Sequence, residues 1–252
     1  MPITTIATEE VARRTMNLFF LVDTSGSMAG RKIATLNQAV REALPIIKEI
    51  SEDNADACIK IAVLEFSDSV KWMYTEPIDA NDFEWTDLGA NCLTSMGAAF
   101  GELNAKLSRN AFMASQAYQP VVILLSDGAP TDAYQHNLEK LKANKWFQAA
   151  TKVAIAIGDD ADKNVLAEFT NGNIEAVFSA DNVYLLKTII KIASVQSSLI
   201  GSQSSTSSDK TKEEQIIEKI NVILITLGGE TSYKSCKAIN SNEFQLVDEV
   251  AP

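Results

Sequence analysis

Asp23, Ser25 and Ser27 are spaced two residues apart where an apolar run, Asn17 to Val22, comes to an end. One carboxylate and two hydroxyls at that spacing supply three oxygen donors from a single turn. Thr94 and Asp127 sit in two more polar turns, each bordering apolar sequence. Together the five residues offer two carboxylates and three hydroxyls, with no imidazole or thiolate among them. Such a set suits a hard divalent cation, Mg2+ first and Mn2+ as a substitute, in near-octahedral coordination that retains some water. Neutral hydroxyls do not cancel the charge of such an ion, which stays able to accept a carboxylate from outside.

The surrounding elements must bring these turns together. Arg31 to Ile50 has helical spacing (Ile33, Leu36, Val40, Leu44, Ile47), so the Asp23 turn joins a strand to a helix. Pro45 lies inside that helix and predicts a kink or break. Cys58 to Phe66 reads as a second strand, and Ser67-Asp68-Ser69 turns it into an antiparallel edge strand, Val70 to Tyr74. Thr75 to Leu93 has no clear period, and a loop of that length is more often functional than accidental. Thr94 opens a helix with an apolar face of Met96, Ala99, Phe100, Leu103 and Leu107. Val121 to Leu125 is apolar on both faces and ends in Ser126-Asp127-Gly128. Further strands are expected at Val153 to Ile157 and Glu175 to Phe178. The helix between them ends at Asn171-Gly172, and a last helix from Val183 to Ala193 is capped by Asp181.

Alternating strands and helices predict an α/β fold: a doubly wound, mainly parallel sheet with one antiparallel edge strand, followed by a C-terminal extension. In the strand order 3-2-1-4-5-6, the strands before Asp23 and Asp127 are neighbours where the winding reverses, and ligands bind at that crevice. Residues 1–198 are expected to form this domain with its N-terminal lead-in, 199–213 a serine-rich linker, and 214–252 an extension of unknown fold.

The 252 residues, 46% hydrophobic, suffice for one such core. A formal charge of −11 argues against nucleic acid and anionic membrane as partners. Three separated cysteines, Cys58, Cys92 and Cys236, form no C-x-x-C pair and predict neither disulfides nor a zinc ribbon. Magnesium-type ions avoid thiolates, so Cys92 is given no ligand role. No signal peptide or membrane span is evident, and a cytoplasmic location is expected.

Asp23-Thr24-Ser25-Gly26-Ser27 resembles the D-x-S-x-S motif of von Willebrand factor A (vWA) domains, their metal-ion-dependent adhesion site (MIDAS). Thr94-Ser95-Met96-Gly97-Ala98-Ala99 resembles the T-x-x-G-x-A segment that supplies the family's distal threonine. Ser126-Asp127-Gly128 with Pro130 resembles the segment supplying its last aspartate. The resemblance covers Asn17 to Ser197 and implies a metal held by Asp23, Ser25, Ser27, Thr94 and Asp127. It implies that the serines and threonine ligate directly and that the aspartates act directly or through water. One departure is Leu93, where the family more often has glycine just ahead of the threonine. Gln119 to Asp132 and Lys152 to Asp160 look like the bacterial tellurium-resistance TerY group, which is cytoplasmic and associated with kinases and phosphatases in stress systems.

The resemblance implies a non-enzymatic interaction module that docks an acidic residue of a protein partner, with a kinase or phosphatase of the same stress system as a candidate. The alternative is an Mg2+-dependent hydrolase or phosphatase using the same strand-end acids. A dehalogenase-type phosphatase needs a second aspartate two residues after the first, and Ser25 stands there, so the general acid is missing.

Plainer readings stand beside these. Asp23 can cap a helix, Thr94 can do the same, and Asp127-Gly128 alone is an ordinary turn. Asp159, Asp160 and Asp162 lack calcium-loop spacing and read as a capping cluster. His136, the single histidine, reads as a surface residue. Trp72, Tyr74, Phe83 and Trp85 fit either packing or an interaction patch, and are left out of the site.

Overall fold

The computed structural model describes residues 13–202 and 211–230. Its strands are β1 (Arg14–Asp23), β2 (Ala57–Phe66), β3 (Val70–Trp72), β4 (Ile78–Asp79), β5 (Val121–Ser126), β6 (Thr151–Ile157) and β7 (Val177–Ala180). Its helices are α1 (Arg31–Asp53), α2 (Met96–Lys106), α3 (Gln135–Lys142), α4 (Lys145–Ala149), α5 (Lys163–Phe169), α6 (Val183–Ser202) and α7 (Lys212–Glu230). The sheet runs β3-β2-β1-β5-β6-β7, with β4 also pairing β2. Among the described residues only β3 and β4 run antiparallel, both against β2. Omitting the two-residue β4, this is the order expected from sequence, and β1 and β5 lie side by side with Val22 opposite Leu125.

β1 is buried from Met16 through Asp23, as a central strand covered on both faces must be. Its odd-numbered residues Phe19 and Leu21 join Leu64, Phe66, Phe100, Leu103, Leu138, Phe147 and Phe169 in one core beneath α2 to α5. α1 and α6 pack against each other and against β2, and Lys187 of α6 pairs with Glu42 of α1 at 2.8 Å. Burying each large apolar side chain contributes roughly 1.5–3 kcal/mol, so the sheet ends that carry the polar turns are rigidly supported.

Several local expectations need correction. Of the kink or break expected at Pro45, the break is absent: α1 runs continuously from Arg31 to Asp53. The ring faces solvent, where helix carbonyls already tilt towards water, while Ala43, Leu44 and Ile47 hold the opposite face in the core. The 75–93 segment is not wholly irregular, since it contains β4. The cap of α6 is Asn182, whose Oδ1 accepts from Leu185 N at 3.0 Å, rather than Asp181. The last strand starts at Val177, after a 3-10 turn over Ile174–Ala176.

The aromatic residues Trp72, Tyr74, Phe83 and Trp85 pack. Trp72 lies against Phe19 and Phe112, Phe83 is buried beside Tyr74, and Trp85 Nε1 donates to Asn37. Cys58 is half-buried and donates to Asp79; burial and that carboxylate push its thiol up to about 11. His136 is exposed on α3.

By compactness the chain divides into Met1–Ile220 and Asn221–Pro252. α6 continues to Ser202, inside the segment expected to be a linker, and α7 buries Ile216, Ile217 and Ile220. Residues 1–12 of the lead-in, 203–210 of the expected linker and 231–252 lie outside the described residues.

Candidate metal centre

β1 delivers Asp23 at its carboxyl end, fully buried. The following turn folds back on it: Ser25 N donates to Asp23 Oδ1 at 2.9 Å, and Ser126 Oγ at the end of β5 donates to Oδ2. Thr24 N donates to Phe66 O at 2.8 Å, which ties the turn to β2. Ser25 Oγ and Ser27 Oγ stand 3.1 Å apart across a short 3-10 turn.

The second turn is sewn to the first through backbone. Asn91 N donates to Thr24 O and Gly26 N donates to Cys92 O, both at 2.9 Å. Cys92 adopts φ 65°, so the left-handed residue of this turn is two places ahead of Thr94 rather than at Leu93. Thr94 itself is buried.

Thr94 does not cap α2, contrary to expectation. Asp132 does so from the third turn, accepting from Gly97 N at 3.1 Å and Ala98 N at 3.2 Å. Gly97 is required by this close approach, because a Cβ there would lie 2.7 Å from Tyr134 Cα.

The third turn follows β5. Asp127 is buried, its Oδ2 accepts from Lys32 Nζ at 3.0 Å, and its Oδ1 has no hydrogen-bond partner among the described residues. Thr131 joins this turn to the second: its N donates to Thr94 O at 2.9 Å, and its Oγ1 accepts from Thr94 N at 3.0 Å. All three turns therefore form one hydrogen-bonded unit at the carboxyl end of the sheet.

Burial pushes the Asp23 carboxyl above its ordinary range, opposed by the hydrogen bonds from Ser126 and Ser25 and reinforced by the nearby Asp127 charge. A buried carboxylate pair with one unpartnered oxygen is costly unless a cation is supplied. No three or more His, Cys, Asp or Glu side chains cluster as a metal site among the described residues, so any metal here depends on hydroxyl donors. The donor chemistry fits a hard divalent ion.

A sequence model of the von Willebrand factor type A domain matches residues 17–192. The chain belongs to the vWA family. No curated protein matches it. Three solved structures share the vWA fold: a von Willebrand factor type A protein from Catenulispora acidiphila (18% identity, TM-score 0.55, 73% of this chain and 43% of that one); proximal thread matrix protein 1 from the mussel byssus, with a zinc-occupied MIDAS motif (19%, 0.56, 74% and 48%); and the ArnB paralog VWA2 from Sulfolobus acidocaldarius (19%, 0.51, 71% and 45%). The chain spans less than half the length of each.

Within this vWA domain, the residues that sequence reasoning missed are Ser126, Thr131, Asp132 and Lys32. Thr131 and Asp132 follow the Pro130 turn, where Asp, Ser and Thr are read as turn formers; their targets, Thr94 for Thr131 and the start of α2 for Asp132, are distant in sequence. Asp162 caps α5 as expected, accepting from Asn164 N and Val165 N. Asp160 does not cap; it pairs with Lys32. Among the described residues, no helix is long and apolar enough to cross a membrane.

Proposed function

We propose that this vWA domain is a metal-dependent protein-interaction module in which Asp23, Ser25, Ser27, Thr94 and Asp127 hold Mg2+, with Mn2+ as a substitute. The supporting observation is Asp127 Oδ1, a buried carboxylate oxygen without a hydrogen-bond partner among the described residues, beside the turns carrying Asp23 and three hydroxyls. When bound, the cation supplies an electrophilic centre able to accept a carboxylate from another protein. The chain's own part is to orient the donors: Ser25 N and Ser126 fix Asp23, and Thr131 fixes Thr94. A MIDAS holds zinc in the mussel protein, and that occupancy supports the same type of site here.

Our reading makes the domain non-enzymatic and cytoplasmic, and takes its partner to be an Asp- or Glu-bearing protein. From the similarity of Gln119 to Asp132 to the TerY group, we infer a role in a tellurium-resistance or stress-response system, with a kinase or phosphatase as partner. Capture from bacterial lysate tests this with wild type in Mg2+, wild type in EDTA, and Thr94→Ala in Mg2+. A partner retained only by wild type in Mg2+ is expected. An identical set of captured proteins in all three samples would refute metal-bridged docking. Phosphate-ester turnover lost in Asp23→Asn would instead favour the hydrolase.

A further inference from the structure

Lys32 lies in the first turn of α1 and reaches across the crevice to two acids. Its Nζ is 3.0 Å from Asp127 Oδ2 and 2.8 Å from Asp160 Oδ1. The side chain is 17% exposed, against 73% for Asp160 and 3% for Asp127, so the ammonium spans from solvent to the buried site. Gly158 makes room for it: at φ +96°, a Cβ would sit 2.5 Å from Lys32 Cε and 2.7 Å from Asp160 Oδ1. This is a seated contact rather than a passing surface pair.

We propose that Lys32 is the built-in counter-cation of the metal centre, holding Asp127 by Oδ2 and setting how tightly a divalent ion binds. The proposal rests on the metal reading above. Asp23 and Asp127 carry two negative charges, and Lys32 offsets one of them. With a divalent ion added, the two buried acids, Lys32 and the ion total +1 instead of zero, and the third acid, Asp160, is 73% exposed and screened by solvent, so the crevice favours an incoming carboxylate. Without the ion, the ammonium partly relieves the cost of two buried acids in one crevice.

Removing Lys32 has two opposed consequences. Asp127 loses an orienting hydrogen bond, which weakens cation binding. A positive charge disappears from beside the site, which strengthens it. The second effect is larger, because the main chain of this turn stays fixed without Lys32: Asp162 N donates to the Asp127 carbonyl O at 2.8 Å, and Gly128 N donates to Ser126 Oγ at 2.9 Å. A unit charge so close to a divalent ion in a partly buried crevice is worth about tenfold or more in affinity.

The test is calorimetric titration of Mn2+ into the metal-free full chain, comparing wild type, Lys32→Met, Lys32→Gln and Lys32→Arg, with far-UV circular dichroism to check folding. Lys32→Met and Lys32→Gln are expected to bind Mn2+ about tenfold tighter. Both should melt lower than wild type in EDTA and gain more from added Mn2+, while Lys32→Arg stays close to wild type. Equal or weaker Mn2+ binding by both neutral variants, with wild type binding normally, would overturn the counter-cation role alone. Absence of Mn2+ binding by wild type would overturn the metal reading and this role with it.

Discussion

Thr131 Oγ1 accepts a hydrogen bond from Thr94 N at 3.0 Å and donates to Thr94 O at 3.1 Å, clasping the backbone of one metal-site residue from a separate turn. The clasp explains how a buried threonine after an irregular 14-residue stretch (residues 80–93) is held in one place. Thr131→Val keeps the shape and removes both bonds. It should lower stability by about 1–2 kcal/mol and weaken Mn2+ binding on the order of tenfold. Calorimetry and denaturant unfolding measure the two separately, and unchanged Mn2+ affinity would show that Thr94 needs no clasp.

Asp132 fastens the same two turns one step further on. Because it accepts from two orphan amides at the start of α2, Asp132→Ala should cost about 1–2 kcal/mol. Gly97→Ala forces Tyr134 and its backbone away and should cost about 1–3 kcal/mol by overpacking. Urea melts with an unshifted midpoint for either variant would contradict this interlock.

Asp23 gives a pH signature for the metal-free protein. Burial raises its carboxyl in the folded state above the ordinary value of 3.8. The folded protein therefore holds this proton more tightly than the unfolded chain does. The associated stability is fully present below the ordinary carboxyl range and is lost as pH rises through the raised folded value. In EDTA, wild type should become less stable across that rise, whereas Asp23→Asn should lack this component and melt higher at neutral pH. The ordering should reverse once Mn2+ is added. Thermal melts at stepped pH, with and without Mn2+, check both signs.

The sheet order, and the three polar turns it brings to one end of the sheet, were legible because period, strand-end acids and hydroxyl spacing are local signals. Asp23, Ser25 and Ser27 lie in one turn, and neighbouring strands bring Asp127 to them. What escaped is what depends on distant partners. Nothing in the spacing around Lys32 indicates that it reaches Asp127, 95 residues away. Asp132 and α2 are likewise joined only by the folded sheet. The cap on α6 was misread by one position, since Asp181 and Asn182 both carry capping side chains and geometry selects Asn182.

Pro45 shows the same limit from the other side: a strong local signal for a break is overridden by packing along α1. Its missing amide is still a cost. Since the ring is exposed, Pro45→Ala should raise stability by about 1–3 kcal/mol. A lower midpoint in chemical unfolding would contradict that account of α1.

The central claim is that Asp23, Ser25, Ser27, Thr94 and Asp127 hold a divalent cation. Titrating Mg2+ and then Mn2+ into metal-free wild type, Thr94→Ala and Asp127→Ala by calorimetry tests it most directly. One saturable site in wild type, lost or weakened at least tenfold in both variants, is the predicted result. Equal binding by all three proteins, or none by wild type, would contradict it.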